Sequence, residues 1–314
     1  MKVVAIGGGT GLSTLLRGLK KYDFEITAIV PVTDEGGSSG LLRKELGILP
    51  PGDIRNNIVA LAKEEDLLAK LLGYRFEEGS LKGHNLGNLM IAALTKMQGN
   101  FVEAIKTLSD VLAIKGRVLP VSDAQARLVA VFEDGDEAVG ELEIVRRRKK
   151  IKELKLNKQI KALPEAVKAV QEADLIILGP GSLYTSVIAN LLVSEISEAV
   201  RSNRNSTKVY ICNLMTQPGE TTGYRVSDHV REVEKYLGGS VDVVIVNTKK
   251  PSPETLELYK AEGSEPVELD LENIQRTIVA EPLLVEVLDF SDGKKKIRHN
   301  SEALVKLIKR MTGW

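Results

Sequence analysis

The amino-acid sequence predicts a three-layer α/β/α protein with a mainly parallel sheet and a small antiparallel β insertion, and three observations carry this. Short apolar runs alternate with amphipathic stretches from the N-terminus onward, the order of strand, crossover helix and parallel strand. Two glycine-rich turns, at 7–11 and 179–182, each stand directly after an apolar run and before an amphipathic one. The stretch 117–156 instead alternates apolar and polar residues around acidic turns, the period of half-buried antiparallel strands.

The first unit runs from the apolar Val3–Ile6 through the glycines into a helix over Gly11–Leu19 and a strand over Glu25–Val32. A parallel pair joined in this way takes a right-handed crossover. Apolar spacing near 3.6 predicts helix from Gly52 to Leu72 and again from Leu86 to Met97, where Leu86, Leu89, Met90, Leu94 and Met97 recur. In the insertion, Arg127–Phe132, Gly140–Val145 and Ile151–Leu156 read as strands, with a turn at Glu133–Asp136. A helix over Pro164–Glu172 then leads to the continuous apolar strand Leu175–Leu178, the second glycine turn, a helix over Tyr184–Ser202 and a strand over Lys208–Cys212. A strand at Val241–Val246, a helix from near Ser252, a strand at Leu283–Leu288 and a helix at Ser301–Met311 follow. No repeat of fixed period occurs, so residues 1–314 read as one domain with 117–156 inserted in it.

Composition narrows the function classes. The 43 Lys and Arg residues balance 43 Asp and Glu residues, so no global charge draws the chain onto nucleic acid or an anionic membrane, and an anion site has to be local. The basic run Arg146–Lys150 is the one feature that favours nucleic acid; runs of this kind are usually solvated faces, and nucleic acid is not an expected partner. One cysteine, Cys212, excludes an intramolecular disulfide and a cysteine metal cluster. The N-terminus enters an apolar strand with no charged leader or cleavage pattern, and no apolar run reaches the length of a membrane span, so a cytoplasmic protein is expected. A homodimer is expected on the base rate of soluble oligomers.

The chemistry concentrates in turns. A helix N-terminus presents unpaired N–H groups and a partial positive charge, and glycines let a phosphate come close to both. Gly7-Gly8-Gly9-Thr10-Gly11-Leu12-Ser13 lies where this is needed, which makes Gly8, Gly9, Thr10, Gly11 and Ser13 ligand candidates. It is neither a strict dinucleotide fingerprint nor a P-loop. The same grammar recurs around Gly181 and Ser182. Asp34 follows an apolar strand, where it suits a ribose, a metal ion or a turn cap, and Ser38 and Ser39 add hydroxyls. Asp53 stands at a helix start with Arg55 and Asn56 free to reach a ligand; His84, Asn85 and Asn88 have the spacing of a shared helix face, with capping as the plain alternative for each Asn. Asp34, Asp53 and His84 are thus the candidate catalytic groups. Three histidines supply no metal-binding spacing, which leaves magnesium held through Asp34 or Asp53 together with substrate phosphates.

Six segments in register, Gly7–Ser13, Val32–Gly40, Pro50–Asn56, Gly83–Asn88, Gly179–Ser186 and Asn213–Glu220, resemble the gluconeogenesis-factor family within the 2-phospho-L-lactate transferase (CofD-like) superfamily. The resemblance spans most of the chain and implies a Rossmann-like sandwich that binds UDP-sugars such as UDP-N-acetylglucosamine. It also implies a role in cell morphology and peptidoglycan metabolism on gluconeogenic carbon sources, with no established reaction. Carried onto this sequence, Asp34, Asn56, His84, Asn88 and Asn213 would line the crevice, and Tyr259 and Arg298 resemble the family's late ligand-contacting pair. A ring suits stacking on a base and a guanidinium suits a diphosphate. The transferases of the superfamily carry further acidic metal ligands after the position of Asp34, whereas the segment 35–50 offers only Glu35 and Glu45. Two readings follow: a regulatory nucleotide-sugar-binding protein, and a magnesium-dependent transferase acting on a nucleoside-diphosphate-linked substrate. A nicotinamide-dependent dehydrogenase shares the fold but not the fingerprint.

Overall fold

The computed structural model describes residues 1–63, 67–289 and 293–313. Seven strands form one parallel sheet: β1 (Lys2–Ile6), β2 (Glu25–Val30), β3 (Arg117–Pro120), β7 (Leu175–Leu178), β8 (Thr207–Ile211), β9 (Val243–Asn247) and β10 (Thr277–Glu281). Their spatial order is β10-β9-β8-β7-β1-β2-β3. The sheet therefore grows outward from β1 in one direction and, after a long excursion, from β7 in the other. Right-handed crossovers put the helices of the two halves on opposite faces, which gives the three layers. Central strands are buried on both faces and so read as unbroken apolar runs; all four residues of β7, Leu-Ile-Ile-Leu, are buried.

On one face α1 (Gly9–Leu19) packs against α3 (Gly52–Leu61) and the C-terminal α13 (Ser301–Thr312). Gly18 is what lets α13 approach: a Cβ there would stand 2.7 Å from the Ser301 carbonyl oxygen. The segment between β2 and β3 also carries α2 (Gly37–Leu46), α4 (Leu67–Gly73), α5 (Leu86–Gln98) and α6 (Phe101–Val111). The single helix expected over 52–72 is thus two, α3 and α4, and 64–66 lie outside the described residues. The other half uses α8 (Pro164–Gln171), α10 (Ser194–Ser202) and α11 (Val226–Leu237). The long helix expected over 184–202 is broken: a π-helical turn at Leu183–Ile188 runs into the single turn α9 (Ala189–Leu191) before α10 begins. The π turn is held by the buried Asn190, whose Nδ2 donates to the Ser186 carbonyl at 2.7 Å and toward Gly7 O at 3.3 Å.

The insertion begins later than 117 and is not all strand. Arg117–Pro120 pairs in parallel with β2 as the sheet edge, because the apolar Val118 finds a buried partner row there. The antiparallel unit is β4 (Leu128–Phe132) between β5 (Glu137–Val139) and β6 (Ile151–Leu156). Gly140–Val145, expected as a strand, belongs to helix α7 (Glu141–Arg147). Glu141 and Glu143 in its first turn and Arg146 and Arg147 in its last suit the helix dipole, and this outweighs the alternation. A further hairpin, β11 (Leu284–Asp289) with β12 (Lys294–His299), and α12 (Pro253–Ala261) close the C-terminal side. No single helix among the described residues is long and apolar enough to cross a membrane.

Candidate functional site

β1 and β7 are neighbours whose chains leave in opposite directions, so a crevice opens beyond their C-terminal ends. The two glycine turns occupy those ends and pack on one another. A Cβ on Gly11 would stand 2.6 Å from the Pro180 carbonyl oxygen, and one on Gly181 would stand 3.1 Å from Gly8 O. Only glycine allows the backbones this approach. Among the described residues no side chain caps α1 through Gly8, and at its first turn the Gly9 N–H donates to Asp53 Oδ1 at 2.9 Å.

The crevice is a cleft of about 920 Å³. Gly8, Gly9, Thr10 and Gly11 form one wall and Gly181 and Ser182 its floor, with Asn213, Tyr259 and Arg298 farther along. Ser182 Oγ accepts from Gln217 Nε2 at 2.8 Å, and Gln217 Oε1 in turn accepts from Asn213 Nδ2 at 3.3 Å. Among the described residues the buried Asn213 Oδ1 has no partner. Tyr259 is half-buried against Leu214, Met215 and Ile297, and its hydroxyl accepts the Ile297 N–H at 2.9 Å. Ser13 faces inward instead, its hydroxyl donating to Thr10 O at 3.0 Å.

The remaining candidates gather on the adjacent flank, where α2, α3 and α5 begin. Asp34 accepts from Gly36 N at 2.8 Å, and Gly52 leaves room for both Asp34 and Ser39: a Cβ there would stand 2.7 Å from Asp34 Oδ2. Ser38 Oγ lies 3.3 Å from His84 Nδ1 and accepts the Asn85 N–H at 3.3 Å. Asn85 is a helix cap, accepting from Asn88 N at 3.1 Å and donating to Gly73 O at 2.9 Å. Among the described residues the buried Asn88 Oδ1 has no partner, and Asn56 accepts from Arg55 at 2.8 Å. Asp53 joins the two regions, since it bonds the glycine turn from α3.

Several groups that line this cleft were not ligand candidates from the sequence, though Arg148 belongs to the basic run. Glu141, Val145 and Arg148 come from the insertion, which forms a wall, and Glu220 comes from the loop after β8. Glu35 fastens the insertion, pairing with Arg127 at 2.6 Å while its N–H donates to Glu141 Oε2 at 3.1 Å. The rest of the basic run is matched by acids of the same insertion: Arg146 and Arg147 pair with Glu143, Lys149 with Asp134, and Lys150 with Glu133. Glu220 closes the Asn213–Glu220 segment, which could have marked it; Glu141 stood in a stretch read as strand and had no such signal.

The electrostatics are those of crowded, poorly hydrated carboxyl groups. Burial and the neighbouring Asp34 push Asp53 up to about 7 against the pull of the Gly9 N–H and Arg55. Burial first and Asp34 next push Glu141 up to about 8. Burial pushes Glu220 up to about 7, although it accepts the Tyr184 N–H and the Thr185 hydroxyl. The site thus offers phosphate-binding donors on one side and proton-holding or cation-binding carboxyls on the other. Among the described residues no set of three or more His, Cys, Asp or Glu side chains converges as a ready metal cage.

A family model described as 2-phospho-L-lactate transferase CofD matches residues 3–284. A Thermotoga maritima protein is 66% identical over 315 residues, covering all of both chains. A Bacillus subtilis protein named gluconeogenesis factor is 44% identical, over 98% of this chain and 96% of its own. A crystal structure of a Bacillus halodurans protein superposes with a TM-score of 0.92 at 45% identity, over 98% of this chain and 97% of that one.

Proposed function

The chain belongs to the 2-phospho-L-lactate transferase CofD family, with gluconeogenesis factors among its full-length relatives, and on that premise we propose that it is a regulatory protein that binds a nucleotide-sugar resembling UDP-N-acetylglucosamine. The observation that carries the reading is the packing of two glycine turns against each other at the switch point between β1 and β7. That packing supports a diphosphate held by uncapped N–H groups of α1. Arg148 and Arg298, both on the cleft, supply guanidinium groups for the phosphate oxygens, and the Tyr259 ring supplies a face for the base. The volume suits a ligand of that size. The relatives' names extend the proposal to a role in gluconeogenesis, and the family resemblance extends it further to control of cell shape and peptidoglycan metabolism.

A specific observation favours a second reading, a magnesium-dependent transferase. Asp34 and Asp53 lie in one another's field at the edge of the phosphate-binding turn, and Asp53 holds its proton unusually well there. Such a pair fits a divalent cation, which would neutralise phosphate charge and take its other ligands from the substrate and water. Titration calorimetry with UDP-N-acetylglucosamine, with and without magnesium, followed by chromatography of the recovered nucleotide, separates the readings. Saturable binding with the ligand recovered intact supports the regulatory one. Release of UMP or UDP would replace it with the enzyme, and absence of binding would reject both for this ligand.

A further inference from the structure

The flank beside the cleft holds two guanidinium groups that the nucleotide-sugar reading leaves unused. Arg55, half-buried on α3, donates to the neutral Asn56 Oδ1 at 2.8 Å, and its Nε is sealed from solvent with no partner. Arg75, exposed just after α4, donates to the Gly83 carbonyl at 2.7 Å. Among the described residues neither guanidinium is bonded to a carboxylate. Each lies in the other's field, and burial together with that repulsion lowers Arg55 to about 10 against the attraction of Asp53 and Asp34. A buried guanidinium without a bonded counter-charge is costly to keep.

Packing holds the Arg55 stem in place, while the exposed Arg75 reaches the start of α2. The Arg55 stem lies against the first turn of α5, since a Cβ on Gly87 would stand 2.8 Å from Arg55 Cδ and only glycine leaves the space. Arg75 Nη1 lies beside the first residue of α2, 3.9 Å from the position of a Cβ on Gly37. Helix N-termini carry partial positive charge, so cations there oppose the dipole. An anion at the start of α2 would be attracted by both guanidinium groups and by the helix dipole.

We infer that Arg55 and Arg75, with the uncapped N-terminal turn of α2, form a second phosphate-binding subsite that takes the phosphoryl group of a ligand other than the nucleotide-sugar. The Ser38 hydroxyl, in the first turn of α2, and His84, 3.3 Å from it, are the polar groups offered for orienting it. This subsite stands on its own residues and does not need the nucleotide-sugar reading.

The test is calorimetric titration of the full chain with inorganic phosphate, with the cleft saturated by UDP-N-acetylglucosamine. Wild-type protein should show saturable phosphate binding that Arg75→Gln and Arg55→Lys each weaken about tenfold or more, the loss of a charge-assisted hydrogen-bond pair. Arg75 is exposed, so its variant folds even if Arg55→Lys does not. Its affinity for UDP-N-acetylglucosamine should stay within about twofold of wild type, since nothing in the cleft is altered. Phosphate binding that is absent from wild type, or unchanged in Arg75→Gln, overturns the inference. Arg75-dependent phosphate binding in a protein that ignores UDP-N-acetylglucosamine upholds it and removes the nucleotide-sugar reading instead.

Discussion

Replacing Asp53 by Asn tests whether the site stores charge at the expense of stability. The carboxyl is raised from 3.8 to about 7, so the folded chain holds a proton that the unfolded chain gives up. A group raised in this way stabilises the fold fully below its unfolded value, and that contribution is lost as pH climbs through the folded one. The window is therefore pH 4 to 7. At 1.36 kcal/mol per unit the full difference is on the order of 4 kcal/mol, and solvent reaching the half-buried side chain trims it to about 2. Asn keeps the oxygen that accepts from Gly9 at 2.9 Å and carries no charge. Denaturant unfolding of both proteins from pH 4 to 9 is the assay. Their difference should be near zero at pH 4, grow in favour of Asp53→Asn, and level off above about pH 7. Burial lowers His229 and His299, but both proteins carry these residues, so their titration cancels in the difference. Magnesium at pH 8 should stabilise wild type more than the variant if Asp53 helps to hold the cation. A difference that is flat with pH, or a variant less stable than wild type at pH 8, would refute the reasoning.

Three further substitutions, at two positions, probe the cleft. Gly11→Ala puts a Cβ 2.6 Å from Pro180 O and 2.8 Å from its carbonyl carbon, backbone atoms that cannot rotate away. It should cost about 1–3 kcal/mol in denaturant unfolding and weaken nucleotide-sugar binding, and wild-type behaviour in both would show the turns are not rigidly packed. Tyr259→Phe removes the acceptor for Ile297 N and should cost about 1 kcal/mol of stability while leaving affinity within about twofold. Tyr259→Ala should lose about 1–3 kcal/mol of binding, and equal affinities for Phe and Ala would show that the ring does not face the base.

Some residues announce their place locally and others do not. The four apolar residues of β7 and the glycines after β1 and β7 are read over a few positions, because burial on both faces and close backbone approach each demand a particular residue type at once. β12 shows the limit: Lys294-Lys-Lys-Ile-Arg-His299 is unlike a strand, yet pairing with β11 makes it one and brings Arg298 to the cleft. β10 and α11 also escaped notice, the first as a sparsely buried edge strand and the second as a helix whose charges mask its apolar stripe of Val226, Val230, Val233 and Leu237.

By itself, then, the sequence determined the parallel α/β plan, the two glycine-rich turns and the family, since these rest on interactions within a turn or a strand and its helix. The tertiary structure alone decided that Arg117–Pro120 closes the sheet, that α7 walls the cleft with Glu141, and that Asp34, Asp53 and Glu141 share one poorly hydrated space. The physical reason is range. Desolvation and charge repulsion depend on which distant segments meet, and Glu35 reaching Arg127 across the fold is a contact that no local pattern contains.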